Sequence, residues 1–189
     1  MANPTIDLMR ALDFAARKHA GQTRKGAAAD PYINHPAEVA DLLARATDGA
    51  DPVVVLGGLL HDTLEDTATT RAELEDAFGA EVAALVAEVS DDMSLAKSER
   101  KRLQIEHAAD LSTRGKMLKL ADKTSNVAAL ANDPPTNWDS AQRLEYIRWA
   151  NQVIAPCRGV NQRLEAGFDD ACATALASIG EQDETGRQP

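Results

Sequence analysis

Apolar side chains recur every three to four positions along nearly the whole chain, and no stretch alternates strictly between apolar and polar. That period predicts an all-α protein, a single helical bundle. Pro4 and Gly21 bracket a first helix in "PTIDLMRALDFAARKHAG", and Gly, Asp and Pro in "QTRKGAAADPY" mark a loop. "NHPAEVADLLARA" reads as a second helix with Asn34 as its N-cap and Pro36 in its first turn. "DPVVVLGGLLHDTLED" reads as one continuous third helix, opened by Asp51 and Pro52. Gly57 and Gly58 lower its intrinsic stability, so a neighbouring backbone is expected to approach closely there.

The second half continues in the same period. Thr70 and Glu73 have capping-box spacing at the start of "TTRAELEDAFG". Further helices are expected over "AEVAALVAEVSD", "SLAKSERKRLQIEHAADLS" and "RGKMLKLADKTSNVAALAND", the last ended by Pro134 and Pro135. "SAQRLEYIRWANQVIA" and "CRGVNQRLEAGFDDACATALASI" complete the set. Residues 1–180 are therefore expected to form one domain, and the polar segment 181–189 a disordered tail.

Composition narrows the picture. The 189 residues are 44% hydrophobic but only 4% aromatic, with β-branched residues clustered in short runs such as Val53–Val55. No apolar run reaches the length of a membrane span, and the N-terminus lacks the pattern of a signal peptide, so the cytoplasm is the expected location. Cys157 and Cys172 have no metal-knuckle spacing and read as reduced thiols. A net charge of −10 argues against a nucleic-acid surface. An anionic small molecule remains compatible, provided that clustered cations or a metal supply a local positive field.

The apolar run of the third helix passes directly into four ionisable residues, His61, Asp62, Glu65 and Asp66. Charge at the edge of a core requires a partner or a metal. On an unbroken helix His61 shares a face with Glu65, and Asp62 with Asp66. Imidazole with carboxylate is a ligand set for zinc, manganese or iron. Asp122 follows an apolar stretch in "LKLADKTSN", with Asn126 one turn later on its face; pairing with Lys119 or Lys123 is the alternative role for that carboxylate. His35, early in its helix, is a third candidate ligand, while His19 and His107 read as surface residues. Arg24 and Lys25 beside Gly26, and the basic run Lys97–Arg102, offer cations for a phosphate. Trp138 and Trp149 read as core.

The ordered set "RKG", "INHP", "HDTLED" and "LADKTSN" resembles the HD superfamily of metal-dependent phosphohydrolases. It is more closely similar to the hydrolase domain of the RelA/SpoT alarmone enzymes, in their small stand-alone metazoan form. "PYINHP", "VSDD" before "ERKRLQ", and "EYIRWA" extend that resemblance over most of the chain. It implies an HD-domain bundle that removes the 3′-pyrophosphate of guanosine tetra- or pentaphosphate, with Mn²⁺ as cofactor and Zn²⁺ as the alternative. His35, His61, Asp62 and Asp122 would hold the metal, and Glu65 and Asp66 would position and deprotonate water. Arg24, Lys25 and Asn126 would contact the nucleotide, joined by Lys97 and Tyr146. Relatives in this group are also associated with NADPH 2′-phosphatase activity, which stands as the rival substrate. Ala128 and Ala129 depart from the family, which usually has an Arg and then a polar residue there, and the lost contacts would either weaken pyrophosphate binding or shift substrate preference.

Overall fold

In the computed structural model the most apolar segment of the sequence becomes the axis of the molecule. The structure describes residues 3–185, with side chains to residue 180. Ten α-helices occur among them: α1 (Pro4–Lys18), α2 (Asn34–Ala46), α3 (Pro52–Leu60), α4 (Thr63–Asp66) and α5 (Arg71–Phe78), then α6 (Ala80–Val89), α7 (Lys97–His107), α8 (Thr113–Asn132), α9 (Ser140–Ile154) and α10 (Gln162–Thr185). No strand is present among the described residues, only an isolated bridge between Thr23 and Pro31. Every residue of α3 from Val53 to Leu60 is buried, and the helix packs against α1, α2, α6 and α8.

The glycine pair permits this packing. A Cβ on Gly58 would lie 3.0 Å from the Ala40 Cα of α2, and one on Gly57 would lie 2.7 Å from Leu85 Cδ2 of α6. The expected close approach is therefore real: side chains at both positions would push neighbours off α3. The long α10 lays Leu164, Phe168, Ala171, Cys172, Ala175 and Ile179 against the bundle, chiefly against α8. This helix runs through Thr185, into the polar segment read as a tail; residues 186–189 lie outside the described residues.

Local capping departs from the sequence reading at several points. Asn34 is the first residue of α2, not its N-cap; that position belongs to Ile33. Thr70 does accept from Glu73 N, but the Glu73 carboxylate pairs with Lys18 at 2.8 Å, drawn by a cation 55 residues away. A reciprocal capping box forms instead between Asp139 and Gln142 at the start of α9. The segment at Cys157 is a short 3₁₀ turn, and Gly159 at φ +90° reverses the chain before α10.

The most consequential departure lies between α3 and α4. The helix read as continuous breaks at His61–Asp62. The Thr63 hydroxyl donates to Leu60 O at 2.6 Å, and His61 Nδ1 donates to Gly58 O at 2.9 Å. Side-chain donors thus occupy carbonyls at the end of α3, and the chain turns a corner at the two residues that carry the chemistry.

Candidate active site

The corner holds His61 and Asp62 against two neighbouring helices. α2 contributes His35 and α8 contributes Asp122, both buried. His35, His61 and Asp62 present ligand atoms that all lie within 4.8 Å of one another. Asp122 Oδ1 approaches from the far side, 3.4 Å from His35 Nε2 and 3.8 Å from His61 Nε2. Asp122 also accepts from Lys123 at 2.8 Å and from Asn126 at 2.6 Å. The lysine pairing read as an alternative role is therefore present, and it occurs in the interior beside the two histidines.

Donor accounting shows what this cluster needs. A carbonyl only accepts, so the Gly58 bond puts the proton of a neutral His61 on Nδ1. Its Nε2 is then a bare lone pair, buried without a hydrogen-bond partner and 3.1 Å from Asp62 Oδ2. Two lone pairs face each other there, and only a proton or a metal ion between them makes the contact favourable. Burial disfavours a charged imidazole, but Asp62, by charge and hydrogen bonding, and then Asp122 outweigh it and push His61 up to about 9. Burial likewise acts to raise Asp62, yet His61 and His35 hold its carboxyl well below the usual range. The donor set thus fits a divalent cation. Tyr32 completes the cluster by donating to Asp62 Oδ2 at 2.7 Å.

Glu65 and Asp66 separate. Glu65 lines the inner chamber, a cavity of about 110 Å³, and accepts the Asp91 backbone N–H at 2.8 Å. Burial raises its carboxyl to about 7, partly opposed by that hydrogen bond and reinforced by the charges of Asp91 and Asp62. Asp66 lies outside the lining of that chamber and is more exposed, although partial burial and the charge of Asp62 raise it too. Asp66 nonetheless keeps its expected place one turn after Asp62, its N–H bonded to Asp62 O at 2.9 Å, and a hydrogen bond from Tyr32 opposes its rise.

The inner chamber adjoins an outer cavity of about 320 Å³; Tyr32, His35, Gln104 and Asn126 line both. Arg24, Lys25, Lys97, Arg100 and Lys101 line the outer cavity, the local positive field required on an acidic protein. Tyr146, Trp138 and Trp149 form its aromatic wall, with adjacent ring centroids 5.5 and 5.2 Å apart. Lys101 and Lys123 lie over Trp149 at 4.9 and 4.8 Å. Burial lowers Lys101, helped by Lys97 and Lys123 and opposed by Glu145. Burial likewise raises Tyr146 to about 12, against the charge of Lys123.

The Arg24–Lys25 loop is latched rather than loose. Asp133 Oδ1 accepts Ala27 N–H at 2.7 Å, Asp133 Oδ2 accepts Ala28 N–H at 3.2 Å, and Lys25 O accepts Thr136 N–H at 3.3 Å. Gly26 is required at this crossing, because a Cβ would collide with the Asp133 carboxylate and carbonyl.

All the predicted candidates except Asp66 thus line one of two adjoining cavities. The tryptophans read as core line the outer one, a role foreshadowed only by the three-residue spacing of Tyr146 and Trp149 on α9. His19, read as a surface residue, is buried: its ring packs on Tyr32 at 5.0 Å and its Nδ1 meets Gln22 at 2.7 Å. Tyr32, Gln104 and Lys123 lie inside the quoted motifs but were given no role in the cavities, and Asp133 had no motif to mark it.

A helical bundle with a histidine–aspartate cluster at a helix break defines a class, and the chain belongs to it. The family model described as HD domain matches residues 11–158, and that domain implies a divalent metal at the cluster of His35, His61 and Asp62. Among individual relatives, the chain is 47% identical over 165 residues to guanosine-3′,5′-bis(diphosphate) 3′-pyrophosphohydrolase MESH1 of Homo sapiens, covering 87% of this chain and 92% of that protein. The Drosophila melanogaster protein of the same name is 43% identical over 167 residues, covering 88% and 93%. The solved structure of a metazoan ortholog of SpoT, described as hydrolyzing ppGpp, superimposes with a TM-score of 0.87 at 40% identity, covering 95% of this chain and 99% of that one. No helix among the described residues is long and apolar enough to cross a membrane.

Proposed function

We propose that this protein is a stand-alone, metal-dependent hydrolase of guanosine 3′,5′-bis(diphosphate) and the related pentaphosphate. It releases the 3′-pyrophosphate and leaves GDP or GTP, with residues 1–180 as the hydrolase domain. The observation that carries this reading is the pair of imidazole nitrogens aimed at Asp62 and Asp122, at the base of a cavity walled by cations and aromatic rings.

His35, His61 and Asp62 would hold the ion, with Asp122 as fourth ligand; Mn²⁺ is the expected metal and Zn²⁺ the alternative. When bound, such an ion supplies positive charge against the phosphoryl oxygens and lowers the pKa of water. Glu65, raised by burial to about 7 in the metal-free protein and lowered from there by a bound ion, would be ionised near neutral pH and would take the proton from an attacking water. Its neighbour Asp66, outside the chamber lining, would act on the cluster through Tyr32 and the charge of Asp62. As the water oxygen bonds to phosphorus, the bond to the ribose 3′ oxygen breaks and pyrophosphate leaves. Arg24, Lys25 and Lys97 hold phosphate oxygens, and the wall of Tyr146, Trp138 and Trp149 stacks the base. Asn126 donates to Asp122 and accepts from Arg24 at 3.4 Å, joining metal site to phosphate site. Burial of two unpaired cysteines fits the reducing cytoplasm as the working compartment.

Ala129 lines the outer cavity, so the loss of a polar side chain there bears directly on substrate choice. The test is metal-stripped protein reloaded with Mn²⁺ and offered guanosine tetraphosphate and NADPH separately, with Asp62→Ala as the blank. Metal-dependent pyrophosphate from the alarmone is the expected result. Orthophosphate from NADPH with the alarmone untouched would transfer the function to the rival substrate.

A further inference from the structure

His35 is gripped at both ring nitrogens by one helix. Asp122 and Ser125 lie three residues apart on a common face of α8. Asp122 faces Nε2 at 3.4 Å, and the Ser125 hydroxyl meets Nδ1 at 2.9 Å. Ser125 is 1% exposed. Its hydroxyl also bonds Glu38 Oε2 at 2.7 Å, and Glu38 follows His35 by three residues on α2. Arg24 Nη1 reaches the same hydroxyl at 3.4 Å and Glu38 at 3.8 Å.

Counting protons orders this chain. An ionised carboxylate only accepts, so the one hydroxyl hydrogen of Ser125 goes to Glu38. The Ser125 lone pairs are left to receive N–H groups, from Arg24 and from His35 Nδ1. His35 must then carry its proton on Nδ1 and present a bare Nε2 to the space beside Asp62 and Asp122. His61 reaches the same tautomer through a backbone carbonyl, whereas His35 depends entirely on side chains.

We infer that Glu38 and Ser125 are positioning residues: their hydrogen-bonded relay fixes the tautomer and aim of His35, sets the affinity of the metal centre, and links that centre to Arg24. The inference rests on the metal-centre reading above. Outer partners of ligating histidines typically change metal affinity by about 10- to 100-fold when lost. Without Ser125 the buried Nδ1–H has no acceptor, and the ring is free to exchange tautomers or turn. Loss of Glu38 frees the Ser125 hydrogen to donate to Nδ1 itself, which selects the wrong tautomer. Glu38 sits at the surface, so its removal leaves the core intact.

The test titrates Mn²⁺ into metal-stripped full-length protein against a fluorescent chelator, for wild type, Ser125→Ala, Ser125→Thr and Glu38→Ala. Long-range ¹⁵N–¹H spectra of the metal-free proteins read the His35 tautomer, and thermal unfolding confirms folding. The expected result is Mn²⁺ affinity about 10- to 100-fold weaker in Ser125→Ala and Glu38→Ala, with Ser125→Thr close to wild type. The Nδ1–H signature of His35 should fade in the two weakened variants alone. Wild-type affinity in folded Ser125→Ala and Glu38→Ala would overturn the relay and leave the metal centre standing. A wild-type protein that takes up no Mn²⁺ would overturn both.

Discussion

The inner chamber and the outer cavity share a wall but are built differently. The chamber is held by the break after α3 and by turns of α2 and α8, where spacing along a helix fixes which groups meet. The outer cavity draws on the Arg24–Lys25 loop, α7, the loop after α8, and α9. On the proposed function, bond making and breaking belong to the first region, and holding the substrate to the second. The first is therefore set by short-range geometry at one corner and two helix turns, whereas the second is assembled from segments far apart in sequence.

Substitutions should divide along that line. Asp62→Ala or His61→Ala leaves the remaining ligands short of a cation and is expected to cut kcat by about 10³-fold or more, read in the pyrophosphate assay. Lys25→Ala and Lys97→Ala are expected to raise KM by about 10-fold each with kcat nearly unchanged. A large kcat loss from either lysine would erase the division of labour.

Acidity offers a second cut. A base at Glu65, at about 7 without metal and lowered by the charge of a bound ion, predicts that kcat/KM rises tenfold per pH unit on an acidic limb below 7 and levels above it. Glu65→Gln should abolish that limb together with most activity. His61 in the metal-free protein lies above its ordinary 6.5, at about 9. Its protonation therefore stabilises the fold fully below pH 6.5, and that stability drains away as pH rises to about 9. The thermal midpoint of metal-free protein is expected to fall across this window, and saturating Mn²⁺ should flatten the fall because ion and proton compete for one nitrogen.

Packing and loop effects should be smaller. Gly58→Ala, forced against the Ala40 backbone, is expected to cost about 1–3 kcal/mol by urea unfolding. Asp133→Ala releases the Arg24–Lys25 loop and is expected to raise KM about threefold to tenfold while the unfolding midpoint barely moves.

The same contrast governs what could be read from the chain in advance. The helical period marked α3 and α8, and motif spacing marked His35, His61, Asp62 and Asp122, because those relations are local. The break at His61–Asp62 escaped notice because it is set by Thr63 and His61 side chains competing for carbonyls. Glu73 was assigned to its own helix end because Lys18 is remote in sequence. His19 looked exposed until Tyr32 folded onto it. Of the aromatic wall only Tyr146 was expected; Trp138 and Trp149 were missed because an apolar ring lining a cavity carries the same sequence signal as one filling a core.

One helix spans the two regions. α8 and its cap carry Asp122, Ser125, Asn126 and, at the far end, the Asp133 that pins the Arg24–Lys25 loop. At 1.5 Å per residue, the eleven steps from Asp122 to Asp133 make a yardstick of roughly 16 Å. A yardstick tolerates repainting but not cutting. Removing one residue between its marks would turn the loop anchor by 100° relative to the chamber. Descendants of this sequence are therefore free to exchange side chains along α8, as at Ala128 and Ala129, while its length stays fixed.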